Sequence, residues 1–131
     1  RDMGMSILLI THNFGIVAEI CDRVSVMYAG RVVETCDTRT IFRQAAHPYS
    51  KALIDSIPKI GMNVEHLPTI PGAPPELFEE NPACPYLPRC PYHDDLCLKM
   101  PEDRDCGDGH TAACHHLQSG CQGMNQEAEK R

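Results

Sequence analysis

At 131 residues the chain has room for one ordinary domain, or for part of one with an appendage. With no Trp, three Phe and four Tyr, it cannot build a large aromatic core. A formal net charge of −6 with scattered Lys and Arg excludes the clustered basic face of a nucleic-acid binder. The longest apolar run, residues 7–10, is far short of the ~20 residues of a membrane-spanning helix. Arg1 and Asp2 are not followed by an apolar stretch ending in small residues, so no secretory leader is read there, and membrane association is expected only through a partner.

Residues 1–4 read as the end of a helix with Gly4 as its left-handed cap, an opening expected of a fragment. Ile7, Leu8, Leu9 and Ile10 predict a strand over 6–11 buried on both faces, as in a parallel sheet. His12 falls just past the carboxyl end of that strand, where open α/β sheets place their ligand chemistry. A short helix over 14–20 follows, with Phe14, Val17, Ala18 and Cys21 on one face. Residues 23–28 alternate as a strand, Ala29 and Gly30 turn, and 31–35 return as its hairpin partner. Thr38 or Thr40 is suited to cap a helix running to Ala46. His47 and Pro48 start another, which carries Tyr49, Ala52, Leu53 and Ile57 until Pro58 stops it.

Nine of the eleven prolines lie between Pro58 and Pro91, too many for any helix or central strand there. Such a stretch needs a cross-link to offset its ordering entropy. The cysteines concentrate where that need begins: six of the eight lie between Cys84 and Cys121. Segregation of this kind, with no leader, favours metal ligation over a secreted disulfide scaffold. Cys84, Cys90, Cys97 and Cys114 are spaced x5, x6 and x16, matching neither zinc-finger pairs nor the ferredoxin run. Spacing alone therefore specifies four thiolates and one candidate metal site. Cys106 is an extra thiol able to replace one of the four, Cys121 reads as incidental, and Arg89 is either a hydrogen-bond donor to a sulfur or a solvated side chain. Residues 118–131 read as a disordered polar tail.

The stretch LLITHNFGIVAEICDRVSVMYAGRVVE, residues 8–34, resembles the switch-histidine region of ABC-transporter ATPase subunits. Thr11, His12, Asp22, Arg23, Met27, Gly30 and Glu34 occupy the family's recurring places, while Asn13 stands where aspartate is usual. The His47-Pro48-Tyr49-Ser50-Lys51-Ala52-Leu53 and Ile70-Pro71-Gly72-Ala73-Pro74-Pro75 segments narrow the resemblance to the oligopeptide/dipeptide importer branch. The resemblance implies an α/β protein in three parts. Residues 1–57 would be the C-terminal remnant of an ABC nucleotide-binding domain, 58–117 a small irregular Cys-rich, metal-stapled domain, and 118–131 the tail.

It further implies that His12 hydrogen-bonds the γ-phosphate and orients the attacking water. Cys84, Cys90, Cys97 and Cys114 would hold a 4Fe–4S cluster, with zinc the alternative. The implied partners are transmembrane permease subunits, a second ATPase subunit and, indirectly, a peptide-binding protein, with the subunit peripheral on the cytoplasmic face of the membrane. ATP and Mg²⁺ belong to the full subunit, because the G-x-x-x-x-G-K-[ST] phosphate loop and the Ser-Gly-Gly-Gln-type signature are missing here, and the chain alone is expected to be inactive. Two rivals remain at this point: a free-standing metal-binding regulatory or assembly module, and a secreted disulfide protein.

Overall fold

The computed structural model describes residues 4–58, 68–74, 81–118 and 121. Helix α1 (Phe14–Ile20) starts at Asn13, whose Oδ1 accepts the amides of Gly15 (2.9 Å) and Ile16 (3.3 Å). The acceptor that an aspartate would supply is thus retained without the charge. Strands β1 (Arg23–Tyr28) and β2 (Arg31–Asp37) form a hairpin whose turn residues, Ala29 and Gly30, both have positive φ. That geometry matches the right-handed twist of the strands, and glycine at the second position adopts it without a Cβ penalty.

Helix α2 (Thr38–Gln44) is capped by Asp37, not by the expected Thr38 or Thr40. The Asp37 carboxylate takes both the amide and the hydroxyl of Thr40, which holds its own pKa below the usual carboxylate value. Thr38 instead donates its hydroxyl to the Cys21 carbonyl at 2.6 Å. Helix α3 (Pro48–Asp55) has proline at its first position, and the Nδ1 of its cap residue His47 accepts the Tyr49 amide at 3.0 Å. Two single 3-10 turns follow, Leu87–Arg89 and Asp95–Leu98, and then strands β3 (Asp103–Gly107) and β4 (His110–Ala113).

Three sequence expectations are corrected. The stretch 6–11 is no strand, and Ile7, Leu8 and Ile10 are 85–91 % exposed. A strand buried on both faces needs a neighbour on each side, and the described residues supply none. The sheet is not parallel: its order is β1-β2-β4-β3, with every pairing antiparallel. Nor is the Cys-rich part wholly irregular, because the β3–β4 hairpin joins β2 through Glu34↔Ala112 and Thr35↔Thr111, so one sheet runs across residue 58. Expectations for residues 1–3, 59–67, 75–80 and most of the tail lie outside the described residues. Within that tail, Gln118 donates its amide to the Ala46 carbonyl at 2.7 Å, and Cys121 is buried.

The main core gathers Val26, Tyr28, Val33, Cys36, Ile41, Ala45, Cys84, Tyr86, Cys90 and Cys97. A smaller cluster of Ala46, Ala112, Cys114, Leu117 and Cys121 lies beside it. Alternation places Val26 and Tyr28 inside while Ser25 and Met27 face out.

Candidate functional site

Tight local turns bring the cysteines inward. The Cys84 amide donates to the Cys97 carbonyl (2.9 Å), tying the two 3-10 turns together, and the Leu87 amide donates to the Cys84 carbonyl (3.0 Å). Cys114 follows directly on β4, and its sulfur accepts the His116 amide at 3.3 Å. Cys84, Cys90, Cys97 and Cys114 are all buried and all free. Burial pushes the Cys84 and Cys90 thiols up, with further upward pressure on each from neighbouring cysteines. Cys114 is pushed up to about 12 by burial, with Cys90, Cys84 and Cys97 each adding to it. Burial and neighbouring sulfurs thus oppose the ionisation of Cys84, Cys90 and Cys114 unless a cation is placed among them.

The remaining cysteines sort differently. Cys106 and Cys121 are joined in a disulfide, with Cα atoms 4.7 Å apart, which corrects the reading of Cys121 as incidental and removes Cys106 from the spare ligands. Cys36 lies within β2 and Cys21 just past α1. Arg89 neither meets a sulfur nor stands free in solvent. It donates to the carbonyls of Pro71 (2.9 Å) and Ile70 (3.2 Å) and to the Tyr28 hydroxyl (3.3 Å), pinning the Pro-rich segment against the tyrosines.

Two groups of ligating atoms within 4.8 Å of one another occur among the described residues: Glu34, Cys36 and His110, and Asp94, Cys97 and His116. The four thiols do not form a third such group.

His12 stands exposed between the 6–11 stretch and α1. Sequence reasoning missed the polar centre of the molecule. Glu34, on β2, has its carboxylate fully buried. It accepts the Ala46 amide (2.7 Å), the His47 amide (2.9 Å) and His110 Nε2 (2.8 Å). One side chain thus ties together β2, the start of α3 and β4. An acidic residue at an inward strand position was the available signal, but its histidine partner is 76 residues away.

These features define a mixed unit of helices and one antiparallel sheet, with a Cys-rich segment folded onto it. The family model "Oligopeptide/dipeptide transporter, C-terminal region" matches residues 33–97, and the chain belongs to that family. It is 42 % identical over 115 residues to the dipeptide transport ATP-binding protein DppD of Bacillus subtilis, covering 87 % of this chain and 34 % of that protein. Against the oligopeptide transport ATP-binding protein OppD of Haemophilus influenzae, identity is 46 % over 102 residues, 78 % of this chain and 32 % of that one. The OppD of Escherichia coli is 40 % identical over 114 residues, 87 % and 34 % respectively. The chain thus spans about a third of the length of the curated relatives it matches. No helix of the described residues is long and apolar enough to cross a membrane.

Proposed function

We propose that this chain is the C-terminal part of an ATP-hydrolysing subunit that energises di- and oligopeptide import by an ABC transporter. The observation that carries this reading is the 40–46 % identity to dipeptide and oligopeptide transport ATP-binding proteins over most of the chain. In the whole subunit, ATP and Mg²⁺ bind through parts that this sequence does not contain. His12 donates a hydrogen bond to the γ-phosphate and orients water, a task of positioning and charge stabilisation. Permease subunits, a second ATPase subunit and, indirectly, a peptide-binding protein are the partners, on the cytoplasmic face of the membrane. The free-standing regulatory module accounts for the thiols but not for the similarity to transport ATP-binding proteins.

Cys84, Cys90, Cys97 and Cys114 hold a 4Fe–4S cluster in this reading. Four free, buried cysteines with no disulfide among them suit it. When bound, such a group supplies iron–thiolate cross-links to a segment with little apolar core of its own. The residues do the rest: the Cys97 carbonyl fixes Cys84 through its amide, and the His116 amide supports the Cys114 sulfur.

The test is transport. The full-length subunit should restore uptake of a labelled dipeptide in a strain lacking its own importer ATPase subunit, and His12→Ala should not. Equal uptake by the His12→Ala protein would contradict the role given to His12. The thiol assignment has its own measurement in anaerobically purified protein, with iron and sulfide near four each per chain expected. Serine at Cys84, Cys90, Cys97 or Cys114 should abolish that content, whereas Cys106→Ser should retain it.

A further inference from the structure

We propose that Cys106 and Cys121 are a reversible thiol–disulfide couple that fastens and releases the tail. It is opened by a low-molecular-weight thiol of the glutathione type and closed by the corresponding disulfide. The bond joins β3 to Cys121 across 15 residues, with Cα atoms 4.7 Å apart. Asp105 pairs with Thr111 and Gly107 with His110, so the register shifts at Cys106. A residue at such an irregularity is re-aimed out of the strand's alternation. Cys121 is buried with Ala46, Ala112, Cys114 and Leu117, and Cys106 packs against that cluster. Two further ties lie inside the loop that the bond closes: the Gln118 amide on the Ala46 carbonyl (2.7 Å) and the His116 amide on the Cys114 sulfur (3.3 Å). The main core contains neither Cys106 nor Cys121, so reduction unfastens the tail without opening that core.

Cys106 is half-buried and Cys121 fully buried, so the Cys106 sulfur is the one an incoming thiolate reaches. The thiolate attacks Cys106 Sγ, breaks the bond to Cys121 and forms a mixed disulfide on Cys106. Cys121 leaves as a thiolate and takes a proton. A second thiol then attacks the small-molecule sulfur of the mixed disulfide, releasing Cys106 and a small-molecule disulfide. Two electrons pass from two thiols to the pair, and the reverse exchange restores the bond. The inference rests on the proposed function for its setting: on the cytoplasmic face, disulfides are as a rule transient and redox-sensing rather than permanent. Cys84, Cys90, Cys97 and Cys114 take no part, so the four-thiol assignment keeps all its sulfurs in both states.

The experiment equilibrates the purified full chain anaerobically in buffers of graded reduced-to-oxidised glutathione. Free thiols are trapped by alkylation and mapped by mass spectrometry, and amide hydrogen exchange is read on the same samples. Cys106 and Cys121 should gain and lose the label together, in one two-electron transition that reverses when the buffer is returned. On reduction, exchange of the His116 and Gln118 amides should quicken at least about 10-fold, because a bond across 15 residues removes much of the freedom of the open segment. Exchange in the β1–β2 hairpin should not change. Cys106→Ser should exchange at the reduced rate in every buffer, and the reduced parent carries the same comparison should that variant fail to fold. A bond that survives every glutathione ratio, glutathione retained on Cys106 beside a free Cys121, or equal His116 and Gln118 exchange in both states would each overturn the proposal. The uptake assay reads the transport function separately, so either reading can fail alone.

Discussion

Residues 7–10 and residues 34, 47 and 110 invert the usual expectation. Ile7, Leu8 and Ile10 stand in solvent, 85 %, 89 % and 91 % exposed, while Glu34, His47 and His110 are 1 %, 1 % and 5 % exposed. Burial follows available partners rather than hydropathy alone. The apolar run meets no complementary surface among the described residues. The polar trio is enclosed because its donors and acceptors are matched: Glu34 takes three N–H groups, and His47 takes the Tyr49 amide. In the proposed whole subunit, the 6–11 stretch is where further strands would pair.

The largest loss of stability is expected at Glu34. Glu34→Ala leaves two buried amides and His110 without their acceptor, so denaturant unfolding should show a loss of about 3–5 kcal/mol. A loss under about 1 kcal/mol would show that water replaces the carboxylate. Ile41, fully buried on α2, supplies the apolar counterpart. Ile41→Ala should cost about 2–5 kcal/mol by the same measurement, according to how far the cavity collapses.

The pH dependence sharpens the polar side. Burial pulls His47 down from 6.5 to about 4, with Glu34 opposing weakly, and Nδ1 must stay unprotonated to accept the Tyr49 amide. The unfolded chain therefore binds the proton first. Stability from this group is complete above about pH 6.5 and is lost as pH falls towards about 4, by up to ~3 kcal/mol at ~1.4 kcal/mol per unit. His47→Asn keeps an acceptor but does not titrate, so this part of the stability profile should flatten. At the other end of the scale, Ile10→Ser should change unfolding by no more than about 0.5 kcal/mol while reducing self-association in light scattering. A loss comparable to that of Ile41→Ala would mean that the 6–11 stretch is packed after all.

What the sequence discloses is local. Alternation over 23–28, the Ala29-Gly30 turn, the proline opening α3 and the apolar spacing of residues 14–20 all act within a few residues, and each of these elements forms. The cap of α2 is Asp37 rather than Thr38 or Thr40, because a carboxylate just ahead of Thr38 competes better for the Thr40 amide. The β3–β4 hairpin escaped notice because Asp103, Arg104 and Asp105 carry no apolar alternation, although Asp108-Gly109 is a turn signal. Contacts between distant segments were invisible: the Glu34–His110 pair, the Arg89 clamp on Ile70 and Pro71, and the Cys106–Cys121 bond, since cysteine spacing does not determine pairing. His12 could be singled out only through the resemblance of its segment to the ABC ATPases, because its exposed position marks nothing by itself.

That dependence makes His12 the place to test the account. In the full-length subunit, ATP turnover and nucleotide affinity should be measured side by side for the parent and His12→Ala. The account predicts turnover depressed about 10²–10³-fold, as for loss of one positioned donor at the developing charge, with affinity for ATP nearly unchanged. Parent-like turnover, or ATP affinity lost as severely as turnover, would contradict it.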